Sequence, residues 1–149
     1  MRRLTISVDD KLAETFDALI ERKGYANRSE AFRDLVRSAL NAEELGGGRA
    51  RHCVATLSYV YNHHERHLAG RLTAMQHEHH DVTVAAMHAH LDHDNCIETL
   101  ILRGRTATVQ AFAEAVMAQT GVRHGRLNMI PASPGEAGHS HHSHLHPRA

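Results

Sequence analysis

Several things are scarce in this chain of 149 residues. There are two cysteines, Cys53 and Cys96, too few for a disulfide framework, so free thiols or a metal ligand are expected instead. Net charge is zero with histidine neutral, so no global basic field announces nucleic acid and any DNA site has to be a local patch. No span approaches the roughly 18 apolar residues of a membrane helix, and Arg2 and Arg3 run straight into an alternating segment where a secretory signal would need an apolar stretch. The expected compartment is therefore the cytoplasm. Aromatic residues make up 4% of the chain and tryptophan is absent, whereas histidine, at 16, is far in excess.

With 42% hydrophobic residues the chain has apolar material for one domain or two small ones, and its patterning favours two. Residues 1–45 and 50–132 differ in pattern, and Gly46, Gly47 and Gly48 separate them as a glycine hinge over residues 46–49. Beyond them, residues 133–149 form a tail without periodicity that carries His139, His141, His142, His144 and His146, and disorder is expected there.

The first block opens with RRLTISV, in which Leu4, Ile6 and Val8 alternate with Arg3, Thr5 and Ser7 at the period of a half-buried strand. Asp9 or Asp10 then caps a helix with an apolar face of Leu12, Phe16, Leu19 and Ile20, closed by Gly24. Asn27, with Glu30 three residues on, resembles a capping box for a second helix through Phe32, Leu35, Val36 and Leu40. One strand and two helices cannot close a core alone, so dimerisation is expected, with two strands pairing into an antiparallel ribbon. That ribbon would offer Arg3, Thr5 and Ser7 to a DNA major groove, while Arg28 and Ser29 at the second helix's N-terminus would meet a phosphate. The order strand, helix, G-Y-x-N-R-S-E, helix resembles the ribbon-helix-helix repressors over the whole first block.

The second block reads β-α-β-β-α-β, the ferredoxin-like arrangement, so the whole chain is α+β. Its strands are expected near 53–61, 82–91, 95–104 and 126–130, its first helix from about 65 to 77, and its second ends before Gly121. Such small sandwiches leave a sheet face or an edge open, so pairing between subunits is expected.

Within this block, HAHLDHDNC (88–96) holds the densest chemistry. Side chains two apart on a strand point the same way, so His88 and His90 share a face with Cα atoms roughly 6 to 7 Å apart. Cys96 begins the returning strand, where it can meet that face. Two imidazoles and a thiolate suit zinc in a tetrahedron or nickel(II) and copper(II) in a square plane, and ligand type alone does not choose among them. A fourth ligand has to come from elsewhere.

The first block together with LSYVY, QHEHHD, H-x-H-x5-C and GVRHG resembles the nickel-responsive regulator (NikR) family over residues 1 to about 132. The resemblance implies a C-terminal domain of the ACT-like type. It also implies a square-planar Ni(2+) site of His88, His90 and Cys96 from one subunit with His77 of a neighbour, in a homotetramer built as a dimer of dimers. A second, harder cation such as K(+) is implied near Glu30 and Asp34. Function follows as metal-dependent binding to a palindromic double-stranded operator that represses nickel uptake, without enzymatic activity or a membrane partner. One departure stands out: relatives often carry a Lys-Arg pair after the tyrosine motif, against the DNA backbone, where this chain has Glu65 and Arg66.

Competing readings are a metalloenzyme, a nickel or zinc storage protein or chaperone, and a repressor that responds to another divalent metal. No acid or base has a geometric claim beside the cluster, and a storage protein has no use for an Arg-Thr-Ser ribbon. His63, His64 and His67 could form an auxiliary metal site, although histidines at a strand-to-helix junction are more often solvated. His79, His80 and His93 read as exposed or as neighbours of the ligands, His124 as a loop residue, and Cys53 as a small buried apolar group.

Overall fold

The computed structural model describes residues 4–134 and 145–147. The chain divides into two compact units, Met1–Ala42 and Glu43–Ala149.

In the first unit, α1 (Asp10–Lys23) begins where the Asp9 carboxylate accepts the Leu12 N–H at 2.9 Å, and it ends on Gly24. Gly24 has φ 71°, a left-handed turn that costs glycine little, and its N–H and that of Tyr25 return to the carbonyls of Glu21 and Ile20. α2 (Arg28–Gly46) starts as expected, with the Asn27 side chain accepting the Glu30 N–H at 3.0 Å. The capping box is only half formed, because the Glu30 carboxylate turns to Arg33. α2 runs on to Gly46, so this glycine closes a helix and only Gly47 and Gly48 turn the chain.

The strand expected at residues 3–8 is not a strand here: residues 4–9 are irregular, and Arg3 lies outside the described residues. The cause is the missing ladder partner, since a lone strand has nowhere to send its N–H and C=O groups. Leu4, Ile6 and Val8 are consequently 68%, 56% and 52% exposed, and among the described residues of this unit only Ala31 is buried. An apolar surface this open in so small a unit is half of a core.

The second unit closes its own core. Its elements are β1 (His52–Asn62), α3 (Arg66–Glu78), β2 (Thr83–His90), β3 (Asn95–Arg105), α4 (Thr106–Met117) and β4 (Arg123–Pro134), followed by β5 (Leu145–Pro147). They form one antiparallel sheet in the order β2-β3-β1-β4-β5, whose first four strands have the ferredoxin-like, ACT-like order. Burial alternates along β1, where Cys53, Ala55, Leu57, Tyr59 and Tyr61 point into a core shared with Leu68 and Leu72 of α3 and Val109, Phe112 and Val116 of α4. α4 stops at Met117, and Gly121, with φ 95°, makes the turn into β4.

β5 corrects the expectation of a wholly disordered tail. Leu145–Pro147 pairs with Ala132–Pro134, because the free edge of β4 offers unpaired backbone groups that three residues can satisfy. The rest of the expected disorder, with His139, His141, His142 and His144, lies outside the described residues.

Helices cover one sheet face incompletely. On β2 the residues from Val84 to His90 are exposed, Met87 by 70%, and the opposite sheet face leaves Ile101 and Ile130 open.

Candidate metal centre and nucleic-acid interface

The candidate metal centre is built on a short hairpin connection. The Asp92 carboxylate accepts the N–H groups of Asp94 and Asn95, both at 2.8 Å, and the Asn95 side-chain amide. These bonds, the Asn95 side chain first, hold the Asp92 carboxyl below the ordinary carboxylate range, so at neutral pH it is a charged clasp on the turn. The clasp fixes the register that sets His90 opposite Cys96 and His88 opposite Glu98.

Both histidines therefore lie on the same side of the sheet as the buried Cys96. The sulfur is 3.2 Å from His90 Nδ1 and 3.8 Å from His88 Nε2. A third imidazole joins them, with His63 Nδ1 at 3.3 Å from the same sulfur. Its position follows from topology: β1 pairs with β3 so that Tyr61 faces Cys96, and His63, two residues further, falls on the same side with its N–H on the Asp94 carbonyl.

Burial, and then the Asp92 and Glu98 carboxylates, push the Cys96 thiol up, so without a cation it keeps its proton. Burial, and then the imidazoles of His64 and His90, push His63 down, which favours the neutral ring that can donate a lone pair. Imidazoles converging on a thiol fit a borderline divalent ion that displaces the thiol proton.

His77 stands elsewhere. It is exposed in the last turn of α3 and is not part of the His63, His90, Cys96 group, whose ligand atoms lie within 4.8 Å of one another. Its neighbour Gln76 is tied to the cluster's strand, donating to Glu98 Oε1 at 3.1 Å, while the Tyr59 hydroxyl donates to Glu98 Oε2 at 2.7 Å. Sequence periodicity marked Tyr59 only as part of an apolar strand and gave no sign of Glu98, the one buried charged side chain among the described residues.

The candidate DNA residues are less assembled. Thr5 and Ser7 are exposed on the irregular N-terminal segment, and Ser29 is exposed in the first turn of α2. Arg28 is held as a fork by Asp17, with Nε 2.7 Å from Oδ1, and that hydrogen bond lowers the Asp17 carboxyl. Glu30 pairs with Arg33, and Asp34 accepts the Tyr25 hydroxyl, so both carboxylates proposed for a harder cation already have partners.

A family model described as the NikR C-terminal nickel-binding domain matches residues 54–130, and one described as ribbon-helix-helix protein, copG family, matches residues 2–43. The chain belongs to the NikR family. It is thus a nickel-binding, ribbon-helix-helix transcription regulator, and its first unit is a DNA-binding, dimerising one. Among solved structures, an uncharacterized protein from Thermotoga maritima, TM1266, is similar at a TM-score of 0.45 and 16% identity, over 54% of this chain and 96% of that one. No helix among the described residues of this NikR protein is long and apolar enough to cross a membrane.

His63 is the residue that sequence reasoning undervalued. Weighed with His64 and His67 between an auxiliary metal site and solvation, it lines the Cys96 sulfur, and the signal that finds it is the strand order of the ferredoxin-like sheet.

Proposed function

We propose that this NikR protein represses nickel-uptake genes in the cytoplasm, as a dimer of dimers whose nickel-loaded form grips a palindromic operator. The observation that carries this reading is the convergence of His88, His90 and Cys96 on an uncovered flank of the sheet. His88 and His90 are exposed, which leaves the site open to a donor from another chain in place of His63, and His77, exposed at the end of α3, is the residue proposed to supply it. When bound, nickel(II) would be held by three groups of one subunit and one of the next, tying two chains together.

Gln76 and Glu98 then have a role as protein parts. They fasten the last turn of α3 to β3, so the segment that carries His77 and the hairpin that carries His88 and Cys96 move as one body. At the other end of the chain, Leu4, Ile6 and Val8 support a ribbon that forms only when two chains meet, with Arg3, Thr5 and Ser7 on its outer face and Arg28 and Ser29 near the phosphates. Arg28 would reach DNA by releasing Asp17 or by sharing it. Gly47 and Gly48 are proposed as the joint that lets the ribbons find both half-sites. A hard cation at Glu30 and Asp34 would have to displace Arg33 and the Tyr25 hydroxyl, so the proposal is confined to one metal.

Linkage makes the effect reciprocal: operator DNA has to tighten nickel binding by the factor by which nickel tightens operator binding, typically about 1 to 3 kcal/mol. The test is a gel shift on candidate promoter fragments, run with chelator and then with nickel, copper and zinc in turn. A nickel-dependent shift on a palindromic fragment is expected. Equal binding in chelator would refute the sensor role, and a response to copper or zinc alone would reassign the metal.

A further inference from the structure

Arg28, the first residue of α2, is tied to Asp17 of α1 by two parallel hydrogen bonds, Nε donating to Oδ1 at 2.7 Å and Nη2 to Oδ2. The two residues are 11 apart in the chain, so the fork joins one helix to the other. It is this hydrogen bond first that lowers the Asp17 carboxyl and raises the Arg28 guanidinium. Both groups therefore keep their charges at neutral pH, and the pair as a whole is neutral. Arg33 is held differently, by Glu30 one turn away on its own helix, which fixes nothing between α1 and α2.

A guanidinium presents five N–H groups in one plane. Asp17 takes the Nε side, and that bond leaves Nη1 and the second hydrogen of Nη2 at the end of a side chain that is 69% exposed. Two oxygens of one phosphate fit there while Asp17 stays in place. The carboxylate behind the guanidinium changes what such a contact rewards. A free arginine meets phosphates from many directions and gains by releasing a counterion wherever it lands. Arg28 as held offers one direction and no net charge, so it gains only where a phosphate lies on the line that the two helices set. That condition is met at the register which the base contacts of a ribbon would fix.

We propose that Asp17 is a specificity-determining positioning residue, which aims Arg28 at one operator phosphate and cancels its charge toward all other DNA. This rests on reading Arg28 as a phosphate contact, and it assigns discrimination to the residue behind that contact.

The test is fluorescence anisotropy on the nickel-loaded full chain between about 50 and 200 mM salt, the range over which phosphate contacts declare themselves. The probes are a promoter fragment that shifts with nickel and a scrambled duplex of the same length. Asp17→Asn is expected to bind the scrambled duplex several-fold more tightly, with a salt slope steeper by about one for each Arg28 in contact. Its preference for the promoter fragment should fall several-fold. In an Arg28→Ala background the same Asp17→Asn change should alter neither duplex, because the effect runs through the arginine. An unchanged preference and slope in Asp17→Asn overturns the proposal, and so does an effect that persists without Arg28, which would make Asp17 a plain repulsive charge. Equal weakening on both duplexes with a lowered thermal midpoint would make the fork a structural tie between helices and overturns it too. If Arg28→Ala alone leaves both affinities as they were, the reading of Arg28 as a contact fails and the proposal with it. Any of the earlier failures, with Arg28→Ala still weakening binding, leaves that reading standing.

Discussion

His90 faces Cys96 directly across the β2–β3 hairpin, with its Nδ1 3.2 Å from the sulfur. The thiol is pushed up by burial first and by Asp92 and Glu98 second, so at neutral pH an incoming divalent ion has to expel a proton. Apparent nickel affinity should therefore rise by about tenfold per pH unit until the thiol's own pKa is passed. In Cys96→Ser no thiol proton has to be expelled, and the rise with pH should be shallower. Competition titrations over pH 6 to 9 check this, together with loss of the charge-transfer band and of metal-dependent DNA binding in the variant. Equal slopes for the two proteins would show that the thiolate is not a ligand.

The convergence of His88, His90 and Cys96 was legible in the sequence, for reasons that can be named. The period of two in HAH and the short DHDN connection determine where His88, His90 and Cys96 lie once the hairpin closes, so local rules suffice. His63 depends on which strand neighbours β3, and Glu98 on a partner 39 residues away, Tyr59; such long-range pairings leave no mark in local periodicity. At the N-terminus the alternation of Leu4, Ile6 and Val8 was readable, but a strand exists only with a partner, and a single chain supplies none. The tail erred the other way: low complexity suggested disorder throughout, yet the open edge of β4 takes up Leu145–Pro147.

Tyr59 donates to Glu98 in a buried site, Tyr59 being 1% exposed and Glu98 8%. Tyr59→Phe should cost about 1 to 3 kcal/mol, the penalty of leaving a buried acceptor without its donor. Burial, and then Glu98, raise the Tyr59 phenol above its ordinary 10.0. The sign is then fixed: above about pH 10 the unfolded chain loses this proton and the folded chain keeps it, so stability falls as pH rises. Urea unfolding of metal-free protein should show that alkaline loss in the parent and a smaller one in Tyr59→Phe.

Ile6 is 56% exposed in a single chain, between Leu4 and Val8 on the same alternating face. Burying such a side chain in a ribbon dimer stabilises by roughly 1.5 to 3 kcal/mol per chain, and a carboxylate in its place would be desolvated without a partner. Ile6→Asp should abolish operator binding and split the dimer at the N-terminal units. The nickel charge-transfer band should persist, because the hairpin ligands belong to a unit with its own core. Sedimentation and gel shifts check it, and an unaltered assembly that still binds DNA would remove the ribbon from the account.

Arg3, outside the described residues, opens the polar alternation that continues through Thr5 and Ser7. On a ribbon in the major groove its guanidinium would bond guanine O6 and N7 together, a contact that discriminates among base pairs, whereas a phosphate contact would not. Arg3→Ala should then lower affinity for the operator by about 1 to 3 kcal/mol while leaving binding to unrelated DNA almost unchanged. A base-edge contact also leaves the salt dependence of binding nearly untouched, since few counterions are released with it. If instead the variant loses affinity equally on all sequences and its salt slope drops by about one, Arg3 grips the backbone and base reading falls to Thr5 and Ser7.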